Sequence, residues 1–153
     1  MSNPEIFRTS PANKGYCDLV KLLDADLKIR DGEDHAFFAQ YNKSDTIQHV
    51  VIARTNNVAV ACGAFKPYAD HTAEIKRMFV LPEYRGQGIA QQVLRELESW
   101  AAEEDFNLCI LETGVKQPEA TRLYQMSGYE VIPNYGQYKD VASSVCMQRK
   151  IVG

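Results

Sequence analysis

The segment at residues 85–90, Arg-Gly-Gln-Gly-Ile-Ala, carries residue types that suit a bound anion. A β-type run precedes it and an amphipathic run follows, so it is predicted to join a strand to a long helix. The first N–H groups of a helix lack partners inside the helix and attract negative charge. Glycine allows close approach of a phosphate, and Arg85 adds a permanent positive charge. The segment is a candidate phosphate site, although an ordinary strand-to-helix turn would also use glycine.

Two common phosphate-binding motifs do not fit this turn. A Walker A loop needs Gly-Lys followed by Ser or Thr, which the chain lacks. A dinucleotide fingerprint needs a third glycine near position 91, where Gln91 stands, within a parallel βαβ unit. Neither motif is therefore favoured.

The cysteines suit neither a metal site nor a disulfide framework. They are widely scattered, without a Cys-x-x-Cys pair or a nearby histidine pair, at Cys17, Cys62, Cys109 and Cys146. Because their neighbours are mostly apolar, we expect four buried free thiols that pack as small hydrophobic side chains. The sequence predicts no metal cofactor.

The elements that must position the glycine turn mix strands and helices. Strands are predicted at 6–9, 50–54, 58–66, 73–81, 108–112, 129–132 and 144–151. Helices are predicted at 13–28, 34–41 and 118–126, and from residue 89 along the apolar stripe Ile89, Val93, Leu97, Trp100 and Ala101. This order is neither a series of βαβ units nor an all-β pattern. It indicates an α/β (α+β) fold, a mixed sheet with helices on both faces.

Length and charge exclude several classes of protein. The 153 residues suit one domain spanning 1–153, with 17 basic and 20 acidic side chains and a net charge of −3. A mildly acidic chain without a basic run argues against nucleic-acid binding. The longest apolar run is too short to cross a bilayer, and the start does not resemble a signal peptide. We therefore expect a soluble, cytoplasmic protein with no nucleic-acid or membrane partner.

Two motifs resemble those of the GNAT superfamily of acyl-CoA N-acyltransferases. Residues 85–90 are similar to its R/Q-x-x-G-x-G/A signature, and residues 120–129 are similar to its A-x-x-L-Y-x-x-x-G-F/Y helix. The order of elements matches as well, so the resemblance spans residues 6–151. It implies a mostly antiparallel sheet whose fourth and fifth strands splay apart.

The resemblance also implies acetyl-CoA as co-substrate. Its pyrophosphate would contact backbone N–H groups of the turn, at Arg85, Gly86, Gln87, Gly88, Ile89 and Ala90. Met78 and Val80 would hydrogen-bond the pantetheine arm through their backbone, like an added strand. Gln117 stands where the family often has an asparagine that contacts the cofactor, and its amide lies one methylene further out.

Acetylation of an amine favours a general base, since an alkyl ammonium has a pKa of about 10. The resemblance places Glu74 where several family members carry their base. Strand alternation predicts that Glu74, Lys76 and Met78 share one face of the sheet. A solvated Glu74 paired with Lys76 is the alternative. Glu112, at the end of the fifth strand, is another candidate base or a site for a cationic group, unless it simply faces water.

By the same resemblance, Tyr124 is the acid that protonates the leaving thiolate, and a packed core tyrosine is the alternative. The aromatic loop at 133–143, with Tyr135 and Tyr138, resembles a segment that walls the acceptor site and would favour a small amine. The prediction is an N-acetyltransferase that moves an acetyl group from acetyl-CoA to a small primary amine in a ternary complex. A protein or peptide N-acetyltransferase and a non-catalytic acyl-CoA-binding module are alternatives, and a homodimer is possible for such a fold.

Overall fold

Seven strands and three α-helices make up residues 3–31 and 47–151, the part of the chain that the computed structural model describes. In chain order they are β1 (Glu5–Thr9), α1 (Lys14–Asp31), β2 (His49–Thr55), β3 (Val58–Ala69), β4 (Thr72–Val80), α2 (Ile89–Glu103), β5 (Leu108–Gly114), α3 (Pro118–Met126), β6 (Glu130–Ile132) and β7 (Ser144–Lys150). The predicted order of these elements is confirmed. The helix predicted at 34–41 lies outside the described residues.

The strands form one sheet in the order β1-β2-β3-β4-β5-β7-β6. Neighbouring strands are antiparallel except β4 and β5, which are parallel. The β2–β3 turn uses Asn56 and Asn57 at φ 52° and 64°, a left-handed conformation that asparagine tolerates. The predicted mixed sheet, mostly antiparallel with helices on both faces, is therefore confirmed.

Each face of the sheet is covered by a different helix layer. On one face, α1 packs Tyr16, Leu19 and Leu23 against β2 and β3. On the other, α2 buries the predicted stripe, while Trp100 of that stripe is partly exposed. Each large apolar side chain buried in this way contributes roughly 1.5–3 kcal/mol, so both layers hold the sheet firmly.

A bulge in β4 reverses the alternation of its side chains. Arg77 adopts φ 61°, and the register with β3 shifts so that Gly63 alone stands opposite Arg77 and Met78. Glu74 remains on the α1 side, whereas Met78 packs on the α2 side, where its Sδ would lie 2.5 Å from a Cβ added to Gly63. The prediction that Met78 shares a face with Glu74 is wrong, because the extra residue changes the parity of the strand.

Three of the four cysteines are buried free thiols, as expected: Cys62, Cys109 and Cys146. Cys17 is exposed, so that part of the expectation is wrong. Its neighbours on α1, Tyr16 and Leu19, point into the core, and the helical period turns Cys17 away from it. No helix within the described ranges is both long enough and apolar enough to span a membrane.

Candidate active site

A gap opens in the sheet where β4 and β5 part. The two strands pair only between residues 72–74 and residues 108–110. Beyond this point β4 continues beside β3 and β5 beside β7, and the bulge at Arg77 adds local twist to β4. Backbone donors and acceptors of β4 therefore face the gap, and the predicted splay is confirmed.

The glycine turn closes one end of this gap. Gly86 and Gly88 have φ of 77° and 80°, and Gly88 caps α2 without a side-chain hydrogen bond. The N–H of Gln92 is bonded back to the Gly88 carbonyl at 3.2 Å, so the donors of the preceding residues point out of the helix end. A Cβ on either glycine would meet nothing within 4 Å, which leaves room for a ligand at the backbone.

Arg85 ties the turn to the end of β4. Its Nε donates to the Val80 carbonyl at 2.9 Å, and its guanidinium lies 5.6 Å from the centre of the Phe79 ring. The Leu81 N–H donates to the Val60 carbonyl of β3. Because the backbone groups of successive residues in a strand point in opposite directions, those of Val80 face the gap. Arg85 is thereby held beside the anion-attracting helix end.

A groove of about 430 Å³ runs from the turn along the gap to Tyr124. Predicted cofactor residues that line it are Met78, Val80, Arg85, Gly86, Gly88, Ile89, Ala90 and Gln117. The Gln87 amide instead points back to the Glu83 carbonyl at 3.5 Å. Open N–H donors at one end and a mostly apolar wall along the rest fit a diphosphate joined to an extended arm.

A smaller chamber of about 100 Å³ continues from the groove to the α1 side of the sheet. Tyr124, Met78 and Gln117 line both cavities, so the two meet there. Glu74 and Glu112 line the chamber. The structure thus brings the candidate acid and both candidate bases to one connected space.

Tyr124 stands at the junction because α3 begins and ends where it does. Pro118 occupies the first helical turn, and Gly128, at φ 94°, follows the helix end. Tyr124 is 7% exposed and packs edge-to-face on Tyr129, with ring centres 5.9 Å apart. Burial, and then the charge of Glu112, raise the pKa of Tyr124 above its ordinary value, so its hydroxyl is a neutral donor at physiological pH.

Glu74 is a buried carboxylate, with 2% of its surface exposed. The Tyr135 hydroxyl donates to its Oε2 at 2.6 Å, and the Lys66 ammonium lies 3.9 Å from its Oε1. The solvated-acid alternative is therefore wrong for Glu74. Burial lowers the pKa of Lys76, and the negative charges of Glu74 and Glu112 oppose that effect.

Glu112 occupies the same side of the sheet as Glu74. It is half-buried at the chamber wall, and Ser144 donates its hydroxyl to Oε2 at 2.7 Å. One of its oxygens is thus held by Ser144, and its role as a base or as a site for a cationic group stays a prediction.

Two charged residues at or near the chamber were not predicted from the sequence. Lys66 stands directly opposite Glu74 across β3 and β4, a signal that only a correct strand register could have provided. Arg77 is buried and pairs with Asp24 of α1 at 2.9 Å, which fixes the bulge against that helix. Nothing in the local sequence indicates the second pairing.

Within residues 3–31 and 47–151, no three His, Cys, Asp or Glu side chains gather closely enough to hold a metal ion.

Comparisons with known proteins agree with this geometry. Residues 18–129 match the model of the acetyltransferase (GNAT) family. The chain is 28% identical to an IAA acetyltransferase of Azospirillum brasilense over 153 residues, which cover 99% of this chain and 100% of that protein.

Solved structures extend the comparison to the fold. A Klebsiella pneumoniae protein assigned to the acyl-CoA N-acyltransferases superposes with a TM-score of 0.81 at 27% identity, covering 97% of this chain and 98% of that one. A GNAT family acetyltransferase of Elizabethkingia anophelis, solved with acetyl-CoA bound, gives a TM-score of 0.72 at 20% identity, covering 98% and 99%. The second of these shows likeness of fold alone.

Proposed function

The chain belongs to the GNAT acetyltransferase family and is an acetyl-CoA-dependent N-acetyltransferase, and we propose that it acetylates a primary amine of a small molecule by direct attack. The observation that carries the proposal is the meeting of two cavities at Tyr124. The long groove extends from the glycine turn to Tyr124, and the small chamber lined by Glu74 extends from Tyr124 to the other side of the sheet. Two substrates can therefore approach one point from opposite directions.

In this proposal the groove holds acetyl-CoA through backbone groups. The N–H groups of residues 86–90 and the Arg85 side chain would bind the pyrophosphate. The prediction that the Arg85 N–H takes part is wrong, because that N–H donates to the Pro82 carbonyl at 3.3 Å. Met78 and Val80 would pair with the pantetheine amides, and Gln117, at the start of α3, would contact the same arm. Because the Val80 carbonyl already accepts a hydrogen bond from the Arg85 side chain, the Val80 N–H is the group left to bind the pantetheine arm.

The chemistry follows from the groups at the junction. Glu74, directly or through one water, would accept a proton from the amine. The amine nitrogen would then form its bond to the acetyl carbon, while N–H groups of β4 polarise the carbonyl oxygen. The C–S bond would break as Tyr124 donates its proton to sulfur, and the second proton lost by the nitrogen would return Tyr124 to its neutral form. Glu112 is the alternative base.

The size of the chamber supports a small acceptor. Its volume of about 100 Å³ is less than a quarter of the 430 Å³ of the groove. The Tyr135 hydroxyl donates to Glu74, and the Tyr135 ring packs with Tyr138 and Cys146. A short alkyl amine suits such a space better than a peptide segment does.

Acetyl transfer to a panel of acceptors tests the proposal. The panel contains small primary amines, a peptide with a free N-terminus and a lysine peptide, with CoA release and product mass as readouts. We expect small amines to give the highest kcat/KM, with double-reciprocal lines that intersect, as a ternary complex requires. Preference for a peptide would show the protein-acetyltransferase alternative. Acetyl-CoA binding without turnover, unaffected by Tyr124→Phe, would show a binding module.

A further inference from the structure

Glu98 of α2 is a buried carboxylate that lines neither the groove nor the chamber. Only 5% of its surface is exposed, and three side chains donate hydrogen bonds to it. Arg95 donates to its Oε1 at 2.7 Å, and Arg149 of β7 donates to the same oxygen at 2.9 Å. The Tyr129 hydroxyl donates to Oε2 at 2.8 Å. Because a buried carboxylate that loses a donor is costly, these groups hold one another in place.

The Glu98 network joins α2 and β7 to the turn between α3 and β6. Nη2 of Arg95 donates to the Ser127 carbonyl at 2.9 Å. Arg149 packs directly over Gly128, since a Cβ added to that glycine would lie 2.9 Å from the Arg149 Nε. Gly128 also has a φ of 94°, so a side chain there would be strained and would displace Arg149 from Glu98. The turn is therefore held from two sides.

The same turn contacts Tyr124 through its backbone and through a ring. The N–H groups of Ser127 and Tyr129 both donate to the Tyr124 carbonyl at 3.0 Å. The Tyr129 ring packs edge-to-face on the Tyr124 ring, with an angle of 63° between the two planes. Tyr129 thus links the Glu98 carboxylate directly to the residue at the junction of the two cavities.

We propose that Glu98, Arg149 and Tyr129 are positioning residues that hold the Tyr124 side chain at the junction of the groove and the chamber. This inference rests on the proposed role of Tyr124 as the acid that protonates the leaving thiolate. The three residues line neither cavity, so they act through Tyr124. A small displacement of a reacting group lowers the rate of reaction without a matching loss of substrate binding.

Amide hydrogen exchange of the whole protein, followed by NMR, tests the positioning without any substrate. Tyr129→Phe removes only the hydroxyl that donates to Glu98, and Arg149→Met removes one charged partner of Glu98. The amide at position 129 bonds to the Tyr124 carbonyl, and we expect it to exchange at least about 10-fold faster in both variants. Amides of β2 that bond to β3 should keep their exchange rates, because the loosening is local.

Lys150→Met is the matched control for Arg149→Met. Lys150 is the next residue of β7 and is exposed, so its substitution removes a positive charge without touching the Glu98 network. The amide at position 129 should exchange at the same rate in this variant as in the unaltered protein.

Kinetics then show whether the Glu98 network acts through Tyr124. With acetyl-CoA and the amine that the panel favours, kcat should fall by about 10-fold in Tyr129→Phe and Arg149→Met, while KM for acetyl-CoA changes little. In a Tyr124→Phe background the same substitutions should lower kcat hardly any further, because residues that act as a unit have non-additive effects.

An unchanged exchange rate at position 129 in both variants would overturn the inference. Equal losses of kcat with and without the Tyr124 hydroxyl would also overturn it, because the network would then support the fold alone. If Arg149→Met fails to fold, Tyr129→Phe decides the outcome. Failure of the proposed function is distinguishable: full kcat in the single variant Tyr124→Phe would show that Tyr124 is not the acid, and the inference would fall with it.

Discussion

The two ends of the cleft are built from different parts of the polypeptide. At the glycine turn, backbone conformation makes the site: Gly86 and Gly88 hold left-handed φ values, and helix α2 presents its free N–H groups. At the chamber, side chains make the site: the Tyr135 hydroxyl donates a hydrogen bond to Glu74, and the Lys66 ammonium lies beside the same carboxylate. The first arrangement is local in sequence, whereas the second depends on long-range packing.

This difference predicts how each end responds to substitution. A backbone site tolerates side-chain changes that do not fill its space, so changes at Gln87 should matter little. A side-chain site loses its chemistry when a single atom is replaced. The proposed cofactor end at the glycine turn and the proposed acceptor end at the chamber should therefore be separable by mutation.

The largest expected effect is on turnover. Glu74→Gln keeps the size of the side chain but removes the proton acceptor, and kcat should fall by roughly 10²–10⁴. Binding of acetyl-CoA, measured by calorimetry, should be unchanged because Glu74 lies in the chamber and outside the groove. Glu112→Gln is the matched control, and a larger loss of kcat there would assign the base to Glu112.

Alanine substitutions at two glycines compare the stability cost at a packed position with that at the open turn. Gly63→Ala would bring a methyl group within 3 Å of Met78, Leu97 and Val93, so we expect the free energy of unfolding to fall by about 1–3 kcal/mol. Gly86→Ala meets nothing within 4 Å and should cost only the strain of its positive φ, about 1 kcal/mol. Urea denaturation measures both. A greater loss in Gly86→Ala would mean that the turn is packed rather than open.

The smallest expected effect is on the pH dependence of stability, through the buried thiol of Cys62, which contacts the bulge in β4. Cys62 donates to the Arg77 carbonyl at 3.3 Å, and burial raises its pKa to about 12. The folded state keeps this proton while the unfolded state loses it above about pH 9, so stability falls as pH rises from about 9 toward 12. Between pH 8 and 10 in reductant, Cys62→Ala should reduce the loss of unfolding free energy by about 1 kcal/mol. The control variant Cys17→Ala, at an exposed cysteine, should lose as much stability over this pH range as the unaltered protein does.

Local patterns explain most of what the sequence could predict. Helix α3 was predicted with its observed bounds, because Pro118 and Gly128 mark its ends and the apolar period lies between them. The glycine turn was found in the same way, since its residues are adjacent in the chain. The residues that line the groove near the turn follow from these two elements.

The misplaced residues depend on tertiary structure. Met78 changed face because the bulge at Arg77 adds a residue, and the ion pair to Asp24 forms 53 positions away in sequence. The contact of Tyr135 with Glu74 likewise needs β6, β7 and β4 in place. Periodicity within a single strand carries no information about such contacts.

Calorimetric titration with acetyl-CoA tests the central claim most directly, namely that the glycine turn holds the acetyl donor through its backbone. The unaltered protein should bind with a micromolar Kd, about −8 kcal/mol. Gly88→Glu places a carboxylate in the open space at the helix end and should weaken binding at least about 100-fold. Gly88→Ala, which adds the backbone strain without the charge, should lose much less. Equal affinity in Gly88→Glu and the unaltered protein would contradict the account.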